Sequence, residues 1–147
     1  MQQIAILTAL ILMGLPVVGR AQMAADSAAI RQAALDYAEG WYAGDADRMD
    51  RALHPDLAKR RASTHPETGQ SILSHLTASM MVEYARAGGG KASPHRDVSP
   101  VVTILDAHAN VASVKVVTGD FIDYLHVVRW NDGWKILNVL WDPRPQP

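Results

Sequence analysis

The sequence predicts an α+β fold: a cone in which a curved antiparallel sheet wraps around three N-terminal helices. Two observations carry this prediction. Apolar residues recur at helical spacing in the first part of the chain, and from Val98 onward they form short strands separated by tight turns. Helices followed by such a meander must bury their apolar faces on one side of the sheet, and strong curvature of the sheet leaves a cavity inside the cone.

The first 21 residues are typical of an export signal. The stretch Ile4–Val18 carries no charge and is shorter than the about 20 residues of a membrane span. Small residues follow at Gly19 and Ala21, so cleavage after Ala21 is expected. The mature protein would then be periplasmic or secreted, without stable membrane insertion. The alternative is an uncleaved anchor, because residues before Ile4 include no lysine or arginine; the intact mass of the mature protein distinguishes the two.

The chain of 147 residues suits one domain, predicted at residues 26–142, with a short Pro-rich tail at 143–147. The formal net charge of -1 lacks the basic excess of nucleic-acid-binding proteins. The absence of cysteine excludes disulfides, thiol catalysis and cysteine-ligated zinc. The histidines are scattered, with no pair at ligand spacing, so neither a metal nor another cofactor is expected.

The first helix is predicted to begin near Asp26 or Ser27, both N-cap candidates, and to stop at Gly44. Its apolar face is formed by Ile30, Ala34, Tyr37 and Trp41.

Asp45 can cap a second short helix. A break at Pro55 is followed by a short strand and a turn at His65–Gly69. The third helix is capped by Thr77 and ended by the glycines from Gly88.

Three or four strands are predicted from Val98 onward, in the segments Val98–Asp106, Val111–Thr118, Asp120–Trp130 and Trp134–Trp141. The turn Asn131-Asp132-Gly133 supplies the left-handed conformations that a hairpin needs. Connections this short predict an antiparallel meander. Its strands carry apolar residues on both faces, which predicts that the face away from the helices is covered in a homodimer.

The stretches YAEGWYAGDADRMDRALHPDLAKR, VASVKV and DYLHVVRWNDGWKILNVLW resemble the nuclear transport factor 2-like superfamily, and more narrowly the bacterial group labelled putative lumazine-binding proteins. The resemblance covers about Ser27 to Asp142. It implies a cone-shaped fold with a deep pocket, often dimeric through the outer sheet face. The superfamily includes ketosteroid isomerases, scytalone dehydratase, SnoaL-like polyketide cyclases and proteins that only bind or scaffold, so the fold does not determine the function.

Comparison with ketosteroid isomerases assigns two candidate catalytic residues. Tyr37 stands seven residues before Gly44, as the oxyanion tyrosine of those enzymes does, and His126 falls at the position of their second hydrogen-bond donor. The position of the general base falls on Arg61 or Arg60, and an arginine cannot accept a proton at neutral pH. Steroid-type isomerisation is therefore not expected, whereas a hydrogen-bonding pocket is.

The residues predicted to line the pocket are Tyr37, Trp41, Tyr84, Tyr124, His126 and Trp141. Tyr37, Trp41 and His126 are expected to share one cavity. For each of the three the alternative is a purely structural role in the core. Asp123 alternates with His126 along its strand and is expected to pair with an arginine or lysine of a neighbouring strand.

These observations favour an exported protein that binds a small hydrophobic or planar ligand in an aromatic-lined pocket, without catalysis. One alternative is a metal-independent lyase or isomerase acting on a planar or carbonyl-bearing substrate, with His126 as acid or base and Tyr37 polarising the carbonyl. Another is a dimeric interaction module with a vestigial pocket.

Overall fold

The computed structural model of the chain describes residues 16–131 and 133–145. Within these residues it contains three helices and six strands, which are in chain order α1 (Pro16–Ala43), α2 (Ala46–Ala52), β1 (Leu53–Thr64), β2 (Ser71–Leu76), α3 (Ala78–Arg86), β3 (Val101–His108), β4 (Val111–Val117), β5 (Phe121–Trp130) and β6 (Gly133–Pro143). The strands form one curved, unclosed sheet in the order β2-β1-β6-β5-β4-β3. The predicted α+β fold is therefore confirmed.

The sheet is mixed, so the prediction of a wholly antiparallel sheet is wrong in one place. β1 runs parallel to β6, with Lys59 opposite Val139, while every other neighbouring pair is antiparallel. Turn patterns identify strands joined by short connections, whereas β1 and β6 lie at opposite ends of the domain sequence. Their pairing could not be inferred from turns.

The first hairpin is larger than the sequence indicates. β1 has 12 residues rather than a few, and β2 was not predicted. α3 therefore follows two strands. The predicted caps are confirmed: Asp45 accepts a hydrogen bond from the Arg48 amide at 2.9 Å, and Thr77 accepts one from the Met80 amide at 3.3 Å.

The first helix starts earlier than its sequence signals suggest. Within the described residues α1 runs from Pro16 to Ala43, so the chain is already helical before the N-cap candidates Asp26 and Ser27. Asp26 lies inside α1 rather than capping it, and its carboxylate forms an ion pair with Arg129 at 2.5 Å. The proposed cleavage after Ala21 falls within α1, and residues 1–15 of the predicted signal lie outside the described residues.

None of the helices within the described ranges is both long and apolar enough to cross a membrane.

The helices cover one face of the sheet, which we call the inner face. It carries Asp123, Leu125 and Val127 of β5, all buried, whereas Tyr124 and His126 of the same strand are exposed on the opposite, outer face. The core between the helices and the inner face is formed by apolar side chains, among them Ile30, Ala34, Met49, Val114, Val116, Ile136 and Val139. One end of this layer is left unfilled, and the candidate site lies there.

Candidate ligand-binding site

A buried polar cluster of Lys59, Asp123 and Tyr37 lies under the helices on the inner face. The Tyr37 hydroxyl donates a hydrogen bond to Asp123 Oδ1 at 2.9 Å, and Lys59 Nζ donates to the same oxygen at 2.9 Å. Lys59 Nζ also contacts the Tyr37 hydroxyl. Lys59 is 6% exposed and Asp123 is 2% exposed, so the two charges neutralise each other largely out of solvent.

Strand register explains how distant residues meet in this cluster. Asp123 of β5 is opposite Trp141 of β6, so their side chains share the inner face. Lys59 of β1 is opposite Val139, two residues before Trp141 on β6, and therefore points to the same face. Tyr37 reaches the cluster from α1.

The electrostatics of the cluster follow from its burial. Burial raises the pKa of Tyr37 well above its ordinary value, and the neighbouring Asp123 carboxylate raises it further. The Tyr37 hydroxyl therefore remains a proton donor. Burial also lowers the pKa of Lys59, although the Asp123 carboxylate acts in the opposite direction.

A cavity of about 200 Å³ opens beside the cluster. Its aromatic walls are Trp41, Phe121 and Trp141, with Phe121 packed edge-to-face on both tryptophans at ring-centroid distances of 6.5 and 5.3 Å. The remaining lining comes from Ala38, Tyr42, Leu76, Met81, Tyr84 and Thr118. Lys59 Nζ lies 4.7 Å from the centroid of the Trp141 ring. The Trp141 Nε1 is buried and has no hydrogen-bond partner among the described residues.

A second polar cluster fixes the rim of the cavity. Asp120, in the turn between β4 and β5, accepts hydrogen bonds from Tyr42 at 2.8 Å and Ser93 at 2.6 Å, and its other oxygen lies 2.8 Å from His95 Nδ1. Burial alone would raise the pKa of the Asp120 carboxyl, but the hydrogen bonds from Ser93, His95 and Tyr42 outweigh it, and the pKa is lowered. These bonds tie the segment after α3 to the sheet.

The glycines after α3 let the backbone approach the cavity wall. Gly89 has φ +48°, and a Cβ at this position would lie 2.3 Å from the Trp41 carbonyl oxygen. The Gly90 amide donates to that oxygen at 2.9 Å. The glycine run therefore packs directly against the main chain of Trp41 and supports it.

The structure brings together four of the six residues predicted to line the pocket: Tyr37, Trp41, Tyr84 and Trp141. Tyr84 is half-exposed, while Tyr37 is buried.

Tyr124 and His126 lie on the outer face, so the prediction that His126 shares one cavity with Tyr37 and Trp41 is wrong. The side chains of β5 alternate, and the set that contains Asp123, not the set that contains His126, faces the helices. His126 and Tyr124 instead line a shallow groove with Arg60 and Leu140. His126 therefore cannot act as acid or base on a ligand in the cavity.

Sequence reasoning missed Lys59, Asp123 and Phe121 as lining residues. Asp123 was expected to pair with a cation of a neighbouring strand, and its partner Lys59 lies one strand further, on β1 beyond β6. Lys59 belongs to the run Lys59-Arg60-Arg61, which is typical of a solvated surface. The signal that could have found it is the apolar neighbour Leu57, two positions away on the same strand face and buried.

The side chains described hold no group of three or more histidine or acidic residues that is arranged to bind a metal ion.

Comparison with known proteins supports the same fold. A family model described as putative lumazine-binding matches residues 25–142. No curated protein sequence matches the chain.

Several solved structures are similar in fold. A nuclear transport factor 2-like protein of unknown function from Shewanella baltica superimposes with a TM-score of 0.64 at 13% identity, covering 84% of this chain and 97% of that one. A nuclear transport factor 2-like protein with a cystatin-like fold from Novosphingobium aromaticivorans gives 0.62 at 11% identity, covering 91% and 94%. A third, of unknown function, from Methylobacillus flagellatus gives 0.61 at 17% identity, covering 82% and 94%.

Proposed function

Since this chain belongs to the family described as putative lumazine-binding, we propose that it is a small-molecule-binding protein whose cavity takes a planar, largely apolar ligand with one polar edge. The observation that carries the proposal is the buried Lys59–Asp123–Tyr37 cluster at one side of an aromatic-lined cavity. Ligand sites commonly combine apolar walls, which supply affinity, with a few polar groups, which set orientation.

The donors at the cavity indicate the chemistry of the polar edge. Two of the three N–H directions of the Lys59 ammonium are used by Asp123 and Tyr37, which leaves one. The Trp141 indole N–H has no partner within the described part of the chain. Both groups donate, so the ligand edge is expected to present acceptors such as carbonyl oxygens. The volume of about 200 Å³ is below the roughly 300–1,000 Å³ of pockets for drug-sized molecules, which favours a ligand of one or two rings.

Lumazine itself, a bicyclic pteridine dione with carbonyl acceptors, is the first probe to test. The chain has four tryptophans, of which Trp41 and Trp141 line the cavity while Trp130 and Trp134 do not. In a two-dimensional ¹H–¹⁵N spectrum, titration with lumazine or with one- and two-ring aromatic compounds is expected to shift the indole N–H signals of Trp41 and Trp141. The signals of Trp130 and Trp134 should stay in place and serve as the internal control.

Single tryptophan-to-phenylalanine variants assign the four signals. If no compound of this class shifts the Trp41 and Trp141 signals, or if all four signals shift equally, the cavity is not the binding site and the proposed function is refuted. Binding of other planar compounds but not of lumazine would keep the function and reject the pteridine.

We also propose that the protein is a homodimer through the outer face. Tyr124 is 49% exposed and Leu140 is 57% exposed, and the two residues are direct neighbours on β5 and β6. Together with the partly buried Ile122 and Val128 of β5, they form an apolar surface that a second copy can cover.

Light scattering at micromolar concentration is expected to give the mass of a dimer. Leu140→Glu should convert it to a monomer, because the buried interface would then contain an unpaired carboxylate. Met23→Glu, at another exposed apolar residue, which lies on α1, is the control and should leave the dimer intact. A monomeric wild-type protein would contradict the proposal.

A further inference from the structure

We propose that Lys59 binds an aldehyde or ketone ligand covalently and reversibly, as an imine formed inside the cavity. This inference rests on the proposed function, because it names the substrate class of the same cavity. It assigns a chemical role to the amine of the site, which is in contact with the cavity.

The geometry leaves Lys59 Nζ open on the cavity side. The amine contacts Asp123 Oδ1 and the Tyr37 hydroxyl, and its remaining N–H faces the Trp141 ring of the cavity lining. Of the four lysines of the chain, all within the described residues, Lys59 alone is buried. A planar carbonyl compound stacked between the aromatic walls would bring its carbonyl carbon to this amine.

The surroundings favour the neutral amine that such a reaction needs. Burial against aromatic rings disfavours the ammonium form and lowers the pKa of Lys59, with the Asp123 carboxylate opposing this shift only in part. Lysines activated by desolvation in this way are the ones that form imines with carbonyl substrates.

The step balances within the cluster. The Lys59 ammonium passes a proton to Asp123, and the free amine attacks the carbonyl carbon, so that the C–N bond forms as the carbonyl π bond breaks. A proton then moves from the nitrogen of this adduct to its oxygen, which gives a neutral carbinolamine. The Tyr37 hydroxyl, which is protonated in the resting cluster, lines the cavity and donates a proton as the C–O bond breaks and water leaves. Asp123 then returns its proton to Tyr37. The product is an iminium ion that carries the same single positive charge as the original ammonium, and the restored Asp123 carboxylate is again its counter-ion.

A purely structural ion pair would not need a cavity beside it. Buried ion pairs add little net stability compared with packed apolar residues of similar size. Here the pair is placed at the edge of open space lined by aromatic rings, where its packing is incomplete. A group that must admit a ligand explains this arrangement.

Reductive trapping tests the inference on the wild-type protein. The protein is incubated at neutral pH with benzaldehyde and cyanoborohydride, and the benzylated lysines are identified by peptide mass spectrometry. Lys59 is expected to be labelled at least about tenfold faster than Lys91, Lys115 and Lys135, because binding in the cavity holds the aldehyde beside its amine. The lowered pKa of Lys59 acts in the same direction, since it raises the fraction of free amine. An excess of benzyl alcohol, which lacks the carbonyl but has the same ring, should protect Lys59 selectively.

Lys59→Arg provides the matched variant, since arginine keeps the charge but forms no imine under these conditions. It should lose the fast label while the other three lysines react as before. If this variant does not fold, the distribution of label among the four lysines of the wild-type protein still tests whether Lys59 forms the imine.

Two failures can be told apart. If benzyl alcohol shifts the Trp41 and Trp141 indole signals but benzaldehyde labels the other three lysines as fast as Lys59, the imine is refuted and the binding function stands. If neither benzyl alcohol nor any other one- or two-ring compound shifts these signals and Lys59 is not labelled preferentially, both proposals fail.

Discussion

Replacing Asp123 by alanine is expected to lower the free energy of unfolding by about 3–5 kcal/mol, the cost of removing one partner of a buried ion pair. Lys59 Nζ would lose its carboxylate and remain enclosed by Trp141 and Tyr37 with only one hydrogen-bond partner in the cluster. Urea denaturation of the variant beside the wild-type protein measures the loss.

The matched control is Asp142→Ala. Asp142 pairs with Arg61 at 3.0 Å, a distance close to that of the Lys59–Asp123 pair, but its side chain is 72% exposed. Exposed pairs of this kind contribute about 0–1 kcal/mol. If Asp123→Ala costs no more than Asp142→Ala, the buried pair is not the electrostatic centre described above.

A double variant separates the lost interaction from the unpaired charge. Lys59→Met combined with Asp123→Leu removes both charges and fills the space with apolar groups, so it should recover most of the stability lost in Asp123→Ala. It should also abolish the fast labelling by benzaldehyde.

The pH dependence of the stability of Asp123→Ala tests the effect of burial on Lys59. Burial lowers the pKa of Lys59, so between its folded value and the ordinary lysine value the unfolded chain binds more protons than the folded protein. Stability contributed by this residue therefore rises with pH in that window. In Asp123→Ala no carboxylate of the cluster opposes the lowering of the Lys59 pKa. The difference in free energy of unfolding between this variant and the wild-type protein should therefore shrink as the pH rises towards the ordinary pKa of lysine.

The second large effect is expected at Gly89. In Gly89→Ala the added methyl group would lie 2.3 Å from the Trp41 carbonyl oxygen, in a residue whose φ is +48°. Left-handed backbone costs a non-glycine residue about 1–2 kcal/mol, and overpacking against a main-chain atom about 1–3 kcal/mol. We therefore expect destabilisation of roughly 2–5 kcal/mol, measured by thermal or urea unfolding.

Gly69→Ala isolates the backbone term. Gly69 has φ +71° in the turn between β1 and β2, and a Cβ there meets no atom within 4 Å. It should cost only the left-handed penalty and leave the Trp41 indole signal unchanged, whereas Gly89→Ala should move that signal because the wall of the cavity is displaced. Equal costs at the two glycines would show that the segment after α3 yields easily and does not support Trp41.

Much of the architecture could be predicted from local patterns. Helical spacing identified the helix that carries Tyr37 and Trp41, and the caps Asp45 and Thr77 are where their side-chain chemistry suggests. The hairpin between β5 and β6 turns at Asn131, which has φ +50°. These features depend on residues close together in the chain, so the sequence itself carries them.

Local patterns could not predict which face of β5 packs against the helices. Period-two alternation divides the strand into two sets, but both contain apolar residues: Leu125 and Val127 in one, Ile122 and Val128 in the other. The set with Tyr124 and His126 has the more reactive side chains, and for that reason it was predicted to line the pocket. Packing against α1 buries the other set.

The sequence by itself determined the helices, the meander and the family, because each depends on the spacing of nearby residues or on continuous motifs. Only the tertiary structure decided the site. It depends on the parallel pairing of β1 with β6, which carries Lys59 to the inner face beside Trp141, and on the docking of α1, which brings the Tyr37 hydroxyl to Asp123. Lys59 and Asp123 are 64 residues apart in sequence, and their attraction acts only after three strands have aligned. A lysine in a run of basic residues therefore looks like surface until the sheet places it in the core.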